Sequence, residues 1–159
     1  MTISTKLTRY LNEKNVPYQA IEHFHSNSSI GTAVTANVAL NEIAKAVLLK
    51  DHEDRRLMAI LPANNKINLS ILNECLHGSY QLLKEQEVYQ AFSDCDLGAI
   101  PPVPGAYNMN MICEEELDRL DTVYLEAGDH KTLLQLDKGA FKHIMSVGKH
   151  FHFSQTVFH

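Results

Sequence analysis

Two short apolar segments, separated by a run of charged residues, most strongly limit how this chain folds. Residues 44–50 (AKAVLLK) and 57–63 (LMAILPA) flank the polar stretch DHEDRR at 51–56. Apolar runs of this length, bounded by polar residues, are typical of buried β-strands and are too short to span a membrane as helices. The pattern therefore predicts a buried β-hairpin near the middle of the chain.

Helical and strand patterns follow one another irregularly on both sides of this hairpin. Apolar spacing predicts helices over residues 3–14, 26–40, 68–76, 84–92 and 137–146, with Ser29 as the N-cap of the second. It predicts further strands over residues 18–24, 108–113, 122–128 and 132–137. The strands come in hairpin-like pairs, unlike the regular alternation of a Rossmann fold. We therefore expect one α/β (α+β) domain over residues 1–159, with a mixed, curled, barrel-like sheet surrounded by helices.

Charge and cysteine content narrow the classes of function. The chain has 14 Lys and Arg against 19 Asp and Glu, a formal net charge of −5. This argues against broad nucleic-acid binding, which needs many phosphate contacts, but not against a small basic pocket that holds one end of a nucleic acid. The three scattered cysteines form no disulfide framework, and the N-terminus has no signal-peptide core. We expect a cytoplasmic protein without a membrane segment.

Lys45 is a candidate functional residue because it lies inside the most apolar predicted strand. Lysine is rarely buried without a partner. One interpretation is a strand-end lysine whose ammonium group reaches water. The other is a fixed cation at the edge of a pocket, directed at a phosphate or at a developing oxyanion.

A glycine–proline loop and a tight turn are further candidates. In DCDLGAIPP (94–102), Gly98 allows a positive φ and close approach of another molecule, while two prolines stiffen the chain. The loop is either a simple turn or a segment that presents its backbone to a ligand. In AGDH (127–130), Asp129 suits a turn, and His130 is placed either to serve that turn or to face a substrate.

Nothing in the sequence indicates a metal site, a cofactor or a nucleophile with its base. HFH (23–25) and KHFHF (149–153) each place two histidines at i, i+2, but spacing marks no third ligand. Cys95 lies near Gly98, yet no residue pattern links a base to it, and buried cysteines are usually inert. We therefore predict no metal and no cofactor.

Four segments occur together in an order that resembles the YbaK/ProX family of aminoacyl-tRNA deacylases. They are AKAVLLKD, MAILPANNKINLSIL, DCDLGAIPPVPGAY and VYLEAGDHKTLLQL. The same domain is inserted as an editing domain in bacterial prolyl-tRNA synthetases. The resemblance covers roughly residues 18–145.

The resemblance implies roles for particular residues. Lys45 matches the lysine at the head of a central strand, and Gly98 and Pro102 match the family's G-x-x-x-P loop. These three are the catalytic candidates. The substrate-binding candidates are Ala99, Ile100, Pro101, Gly128, Asp129, His130 and His23. His23 matches a histidine before the first family helix, although Phe24 stands where proline is usual.

The resemblance also implies an activity. Family members hydrolyse the ester between a wrong amino acid and the terminal adenosine of tRNA, without metal and without an obligatory protein nucleophile. The expected function is therefore a trans-editing deacylase that holds the acceptor end of a mischarged tRNA with Lys45 and Lys66. An aminoacyl-tRNA synthetase is the other partner that the resemblance implies. The alternative is a catalytically silent module that binds an aminoacyl-adenosine-like ligand, a tRNA end or a synthetase.

Overall fold

The computed structural model describes residues 3–96 and 98–157. The helices are α1 Thr5–Glu13, α2 Ser29–Ala36, α3 Leu69–Leu76, α4 Glu85–Ala91 and α5 Lys138–Met145, with 3-10 helices at Leu40–Glu42, Pro104–Tyr107 and Glu115–Arg119. The strands are β1 Gln19–Glu22, β2 Ile43–Lys50, β3 Arg56–Pro62, β4 Asn65–Ile67, β5 Gln81–Leu82, β6 Asn110–Glu114, β7 Thr122–Glu126, β8 Thr132–Asp137, β9 Lys149–Phe151 and β10 Ser154–Thr156. None of the helices within these described ranges is long and apolar enough to cross a bilayer.

The main sheet is mixed, which confirms the predicted fold class. Its strand order is β1-β8-β7-β2-β3-β6-β9, and β5 pairs with β2. The sheet is open, with β1 at one end and β9 at the other, and is not closed into a barrel. The predicted hairpin is confirmed by antiparallel pairing of β2 with β3, while β7 lies parallel to β2 and β6 parallel to β3.

Side-chain caps explain where the helices begin. Ser4, Asn68 and Asp137 each accept a hydrogen bond from the backbone N–H three residues on. For α2 the predicted cap, Ser29, is wrong. Ser28 is extended and accepts from the Gly31 N–H at 3.0 Å, so Ser29 is already helical. This helix ends at Ala36, short of the predicted residue 40, because Asn37 is left-handed with φ 58°.

The two faces of the sheet bury different clusters. Leu7, Leu11, Met58, Ile60 and Phe141 belong to the main core on one face. On the other face, Ala33 of α2 packs in a small cluster with the residues Ile43, Ala63 and Leu133. Because alternate residues of a strand point to opposite faces, Lys45 lies on the α2 face with Ile43, and Ala44 faces the main core.

The C-terminal segment returns onto the sheet by a pairing that the sequence pattern did not indicate. β10 pairs antiparallel with β4, and Phe153 is fully buried against the sheet. The buried carboxylate of Glu114 accepts hydrogen bonds from Phe153 N–H (3.1 Å) and Ser154 N–H (2.9 Å) and from the Ser154 hydroxyl (2.7 Å). Burial opposes ionisation of Glu114, but these hydrogen bonds outweigh it and lower its pKa.

Candidate functional site

Two charged residues lie side by side on the α2 face of the sheet. Ile43 pairs with Tyr124 and Ala44 with Leu125 in the parallel β2–β7 ladder. The same register places Lys45 beside Glu126, and both side chains point to the face that α2 covers. Sequence reasoning missed Glu126. The sequence did contain a signal for it, because Glu126 is a charged residue at the end of the apolar strand TVYLE. Lys45 was singled out for the same reason, as a charged residue in an apolar strand.

Lys45 is half-buried and directed away from Glu126. Its Nζ donates to the carbonyl oxygen of Ala63 at 3.3 Å, beyond the end of β3. Burial lowers the pKa of Lys45 by disfavouring the charged form. Among the described residues no carboxylate lies within ion-pair distance of this ammonium group. Lys45 is therefore a partly desolvated cation with hydrogen-bonding capacity left over.

Buried polar atoms without a hydrogen-bond partner occur on the elements around Lys45. Buried polar groups are almost always hydrogen-bonded, so exceptions call for an explanation. Four buried side-chain atoms within residues 3–96 and 98–157 have no hydrogen-bond partner: His23 Nε2, Thr32 Oγ1, Asn64 Oδ1 and Glu126 Oε2. They belong to the segment after β1, to α2, to the β3–β4 turn and to the end of β7. The concentration of unused donors and acceptors on this side of the sheet marks it as the candidate binding site.

The structure brings Gly98 and His130 together. Gly98 has φ +82°, and a Cβ built on it would lie 3.3 Å from His130 Cε1 and 3.7 Å from Nε2. The Asp96 N–H donates to the Gly128 carbonyl at 2.8 Å, which joins the loop to the turn. The two motifs that the sequence singled out separately therefore form one structural unit.

The segment after β1 closes around the same unit. The Ser26 N–H donates to the His130 carbonyl at 3.2 Å, and the rings of His25 and His130 make an edge contact at 5.6 Å between centroids. His23 Nδ1 lies 2.7 Å from the Phe24 carbonyl and 3.2 Å from the hydroxyl of Thr35 on α2. His23 is thus placed on the α2 side of the sheet, close to this unit.

The remaining loop candidates are buried. Ala99, Pro101 and Pro102 are buried, and Ile100 belongs to the main core, on the face opposite to Lys45. Gly98, by contrast, is exposed. The geometry therefore supports Gly98 as the position open to a ligand, with the prolines fixing the loop against the core.

Asp129 and Gly128 are committed to the turn between β7 and β8. Asp129 Oδ1 accepts from the Lys131 and Thr132 N–H groups at 3.0 and 2.9 Å, and Oδ2 accepts from the Thr132 hydroxyl at 3.0 Å. Gly128 has φ +107°, and a Cβ there would lie 3.3 Å from Cys95 Sγ. Both residues shape the turn that presents His130.

Cys95 is buried in a network that keeps its thiol protonated. Its Sγ lies 3.2 Å from the Tyr107 hydroxyl and 3.3 Å from Asp94 Oδ1. Burial is the main cause that raises the pKa of Cys95 to about 12. Ser4, the cap of α1, donates to Asp94 Oδ2 at 2.5 Å. The polar residues before Gly98 therefore anchor the loop to α1, and the thiol is not an activated nucleophile.

The C-terminal histidines have acidic neighbours that sequence spacing did not reveal. Two groups, one of Cys113, Asp118 and His150 and one of Glu114, Glu116 and His152, each offer atoms within 4.8 Å of one another. Several of these atoms already have structural partners. His150 Nδ1 lies 2.7 Å from Asp118 and its Nε2 2.7 Å from the Met145 carbonyl, while Glu114 holds the C-terminal segment. The fold thus brings each C-terminal histidine close to two further potential metal ligands, which the sequence spacing did not indicate. The same side chains also make hydrogen bonds that hold the C-terminal segment in place.

A cavity of about 410 Å³ lies between the 3-10 helix Glu115–Arg119 and α5, with Asp118 and His150 among its lining residues. Its lining includes Leu117, Phe141 and Lys142. Of the residues that the sequence analysis singled out, its lining includes His150 of the KHFHF segment but none of the catalytic or substrate-binding candidates. The candidate site is therefore defined by its polar atoms and charges.

Comparison with solved structures supports the same fold. The hypothetical protein APE2540 superposes with a TM-score of 0.83 at 17% identity, covering 94% of this chain and 99% of that one. A protein assigned as a trans-editing enzyme for prolyl-tRNA synthetase has a TM-score of 0.78 at 13% identity, covering 97% and 99%. A protein from Marinobacter aquaeolei VT8, described as a signal transduction protein, superposes with a TM-score of 0.76 at 19% identity. The match covers 96% of this chain but 31% of that one. Comparison with curated proteins gives no match.

The chain thus has the same mixed α/β fold as these solved structures. The model of the aminoacyl-tRNA editing domain matches residues 27–143. Because this match covers most of the chain, the protein belongs to the aminoacyl-tRNA editing domain family. Membership supports a role in aminoacyl-tRNA editing.

Proposed function

We propose that this protein is a trans-editing deacylase that hydrolyses the ester bond of a mischarged aminoacyl-tRNA. The family match carries the proposal, and the arrangement around Lys45 is consistent with it. An editing site must hold a charged nucleic-acid end and a small aminoacyl group at one place. The unused polar atoms on the α2 face and the open backbone at Gly98 are our candidates for these contacts.

The chemistry we assign to Lys45 is electrostatic. Water attacks the ester carbonyl carbon, negative charge develops on the carbonyl oxygen, and the bond to the ribose oxygen breaks as that oxygen takes up a proton. A partly desolvated ammonium group stabilises such a charge, or a terminal phosphate, more strongly than it would in water. Cys95 contributes no thiolate, so we assign no covalent enzyme intermediate and propose that a terminal ribose hydroxyl helps to activate the water.

Contact with tRNA is confined to the acceptor end in this proposal. The net charge of −5 disfavours a broad phosphate-binding surface. Lys66 is exposed on β4, which follows the Ala63 position that Lys45 contacts. It is our candidate for a second phosphate contact. Association with a synthetase would supply the remaining recognition of the tRNA.

The test is a panel of purified tRNAs, each charged with a wrong amino acid, in which release of the labelled amino acid is measured with and without the protein. The proposal predicts accelerated release for one amino acid or a few related ones, since pocket shape and polar pairing select substrates. Binding of the same tRNAs without accelerated release would favour the alternative, a silent binding module. If the protein neither binds these tRNAs nor accelerates release of the amino acid, the result contradicts an editing role.

A further inference from the structure

We propose that Glu126 is a specificity residue that binds the α-ammonium group of the substrate's aminoacyl moiety; this rests on the proposed editing function. The side chain belongs to β7 and lies on the α2 face, level with Lys45. It is 7% exposed, and its Oε2 has no hydrogen-bond partner among the described residues. A carboxylate in this position needs a donor.

The polarity of the site matches the polarity of an aminoacyl ester. In such an ester the ammonium group is separated from the carbonyl carbon by a single carbon atom, so positive charge and developing negative charge lie close together. Lys45 and Glu126 lie on neighbouring strands, yet Lys45 Nζ turns towards the Ala63 carbonyl. Two opposite charges that are adjacent but not paired with each other can each bind one end of this substrate.

The described residues around Glu126 leave its Oε2 atom without a hydrogen-bond partner. Leu133, its partner across the antiparallel β7–β8 pair, is apolar. Asp129 repels the Glu126 carboxylate, and its own oxygens are engaged within the turn. A cationic donor would therefore relieve both the lack of a hydrogen bond and the repulsion.

The prediction is tested with alanyl-tRNA and lactyl-tRNA, or with the matching pair for whichever amino acid the panel selects. The two esters differ by an amino group in place of a hydroxyl group. Glu126→Gln keeps the size of the side chain but removes its charge. Loss of a hydrogen bond between charged groups should lower kcat/KM for alanyl-tRNA by about 10- to 100-fold, mainly through KM. The same variant should leave kcat/KM for lactyl-tRNA nearly unchanged.

The matched control is Glu22→Gln, because Glu22 lies on β1 and is exposed on the opposite face of the sheet. It should leave both substrates unaffected. An equal effect of Glu126→Gln on the two esters, or no effect on either, in a folded protein would overturn the assignment.

A binding experiment separates failure of this assignment from failure of the proposed function. Amide analogues, 3′-alanylamino- and 3′-lactylamino-3′-deoxyadenosine, are not hydrolysed, and their affinity can be measured by calorimetry. The wild type should bind the alanyl form more tightly, and Glu126→Gln should remove that preference. Equal affinity of the wild type for both analogues would contradict the role of Glu126, whether or not the protein deacylates tRNA.

Discussion

At the scale of single residues, burial determines how Glu126 ionises. Burial, and then repulsion from Asp129, raises the pKa of Glu126 from 4.5 to about 7. Between these two pH values the folded protein binds more protons at this position than the unfolded chain does. The free energy of unfolding therefore falls as pH rises through this window, by about 3 kcal/mol in total from 1.36 kcal/mol per pKa unit.

Replacing Glu126 with glutamine should remove this pH-dependent loss. We expect Glu126→Gln to be more stable than the wild type at pH 8, by up to about 3 kcal/mol, and close to it at pH 4.5. Urea unfolding of both proteins at the two pH values measures the difference. A stability difference that does not change with pH would show that Glu126 titrates normally.

Cys95 provides a second prediction at this scale. Because burial holds the pKa of Cys95 near 12, the thiol is protonated at neutral pH and does not attack an ester. Cys95→Ala should keep deacylation within a few-fold of the wild type after correction for the folded fraction. It should cost on the order of 1 kcal/mol in stability through the lost contacts with Tyr107 and Asp94. An aminoacyl group trapped on Cys95 in the wild type would contradict this account.

At the scale of elements, the loop around Gly98 and the turn at His130 act as one unit. Positive φ at Gly98 is unfavourable for any residue with a side chain, so both Gly98→Ala and Gly98→Val introduce strain of about 1–2 kcal/mol. The added atoms also press on the His130 ring. We expect activity to fall further than the loss of folded protein explains, and more for valine than for alanine.

Gly139→Ala is a suitable control for this loop, because the glycine is helical and a Cβ there meets only Asp137 Oδ1, at 3.5 Å. Melting temperature and deacylation rate are measured for all three variants. If activity in the Gly98 variants declines only in proportion to unfolding, Gly98 is a turn residue without a role at the site.

Several elements were predictable because their signals are local. The β2–β3 hairpin follows from two apolar runs around a charged turn, and the helices α3 and α5 follow from the apolar spacing of their residues. The short strands β4 and β10 were missed, since three-residue strands carry little periodicity and pair across a long sequence separation. The cap of α2 was predicted at Ser29 and lies at Ser28, because the sequence alone does not distinguish between two adjacent serines.

At the scale of the whole molecule, the candidate site is assembled from segments distant in sequence. Lys45 was identifiable as a charge inside an apolar strand, and Gly98 by its neighbouring prolines. Glu126 and Thr32 were not, because what distinguishes each is a buried polar atom that has no hydrogen-bond partner among the described residues of the folded chain. The roles of Lys45, Gly98 and His130 remain predictions, although the structure joins Gly98 to His130 and places Lys45 beside Glu126.

We propose that the α2 face around Lys45 is a catalytic editing site. The most direct test compares Lys45→Ala with Lys50→Ala, a lysine at the other end of β2 whose Nζ pairs with Glu87 at 2.8 Å. Single-turnover release of the amino acid is measured on the tRNA that the panel identifies, with circular dichroism to confirm folding. We predict a loss of at least about 100-fold for Lys45→Ala, as for removal of one oxyanion-stabilising group, and near wild-type rates for Lys50→Ala. Full activity of a folded Lys45→Ala protein would contradict the account.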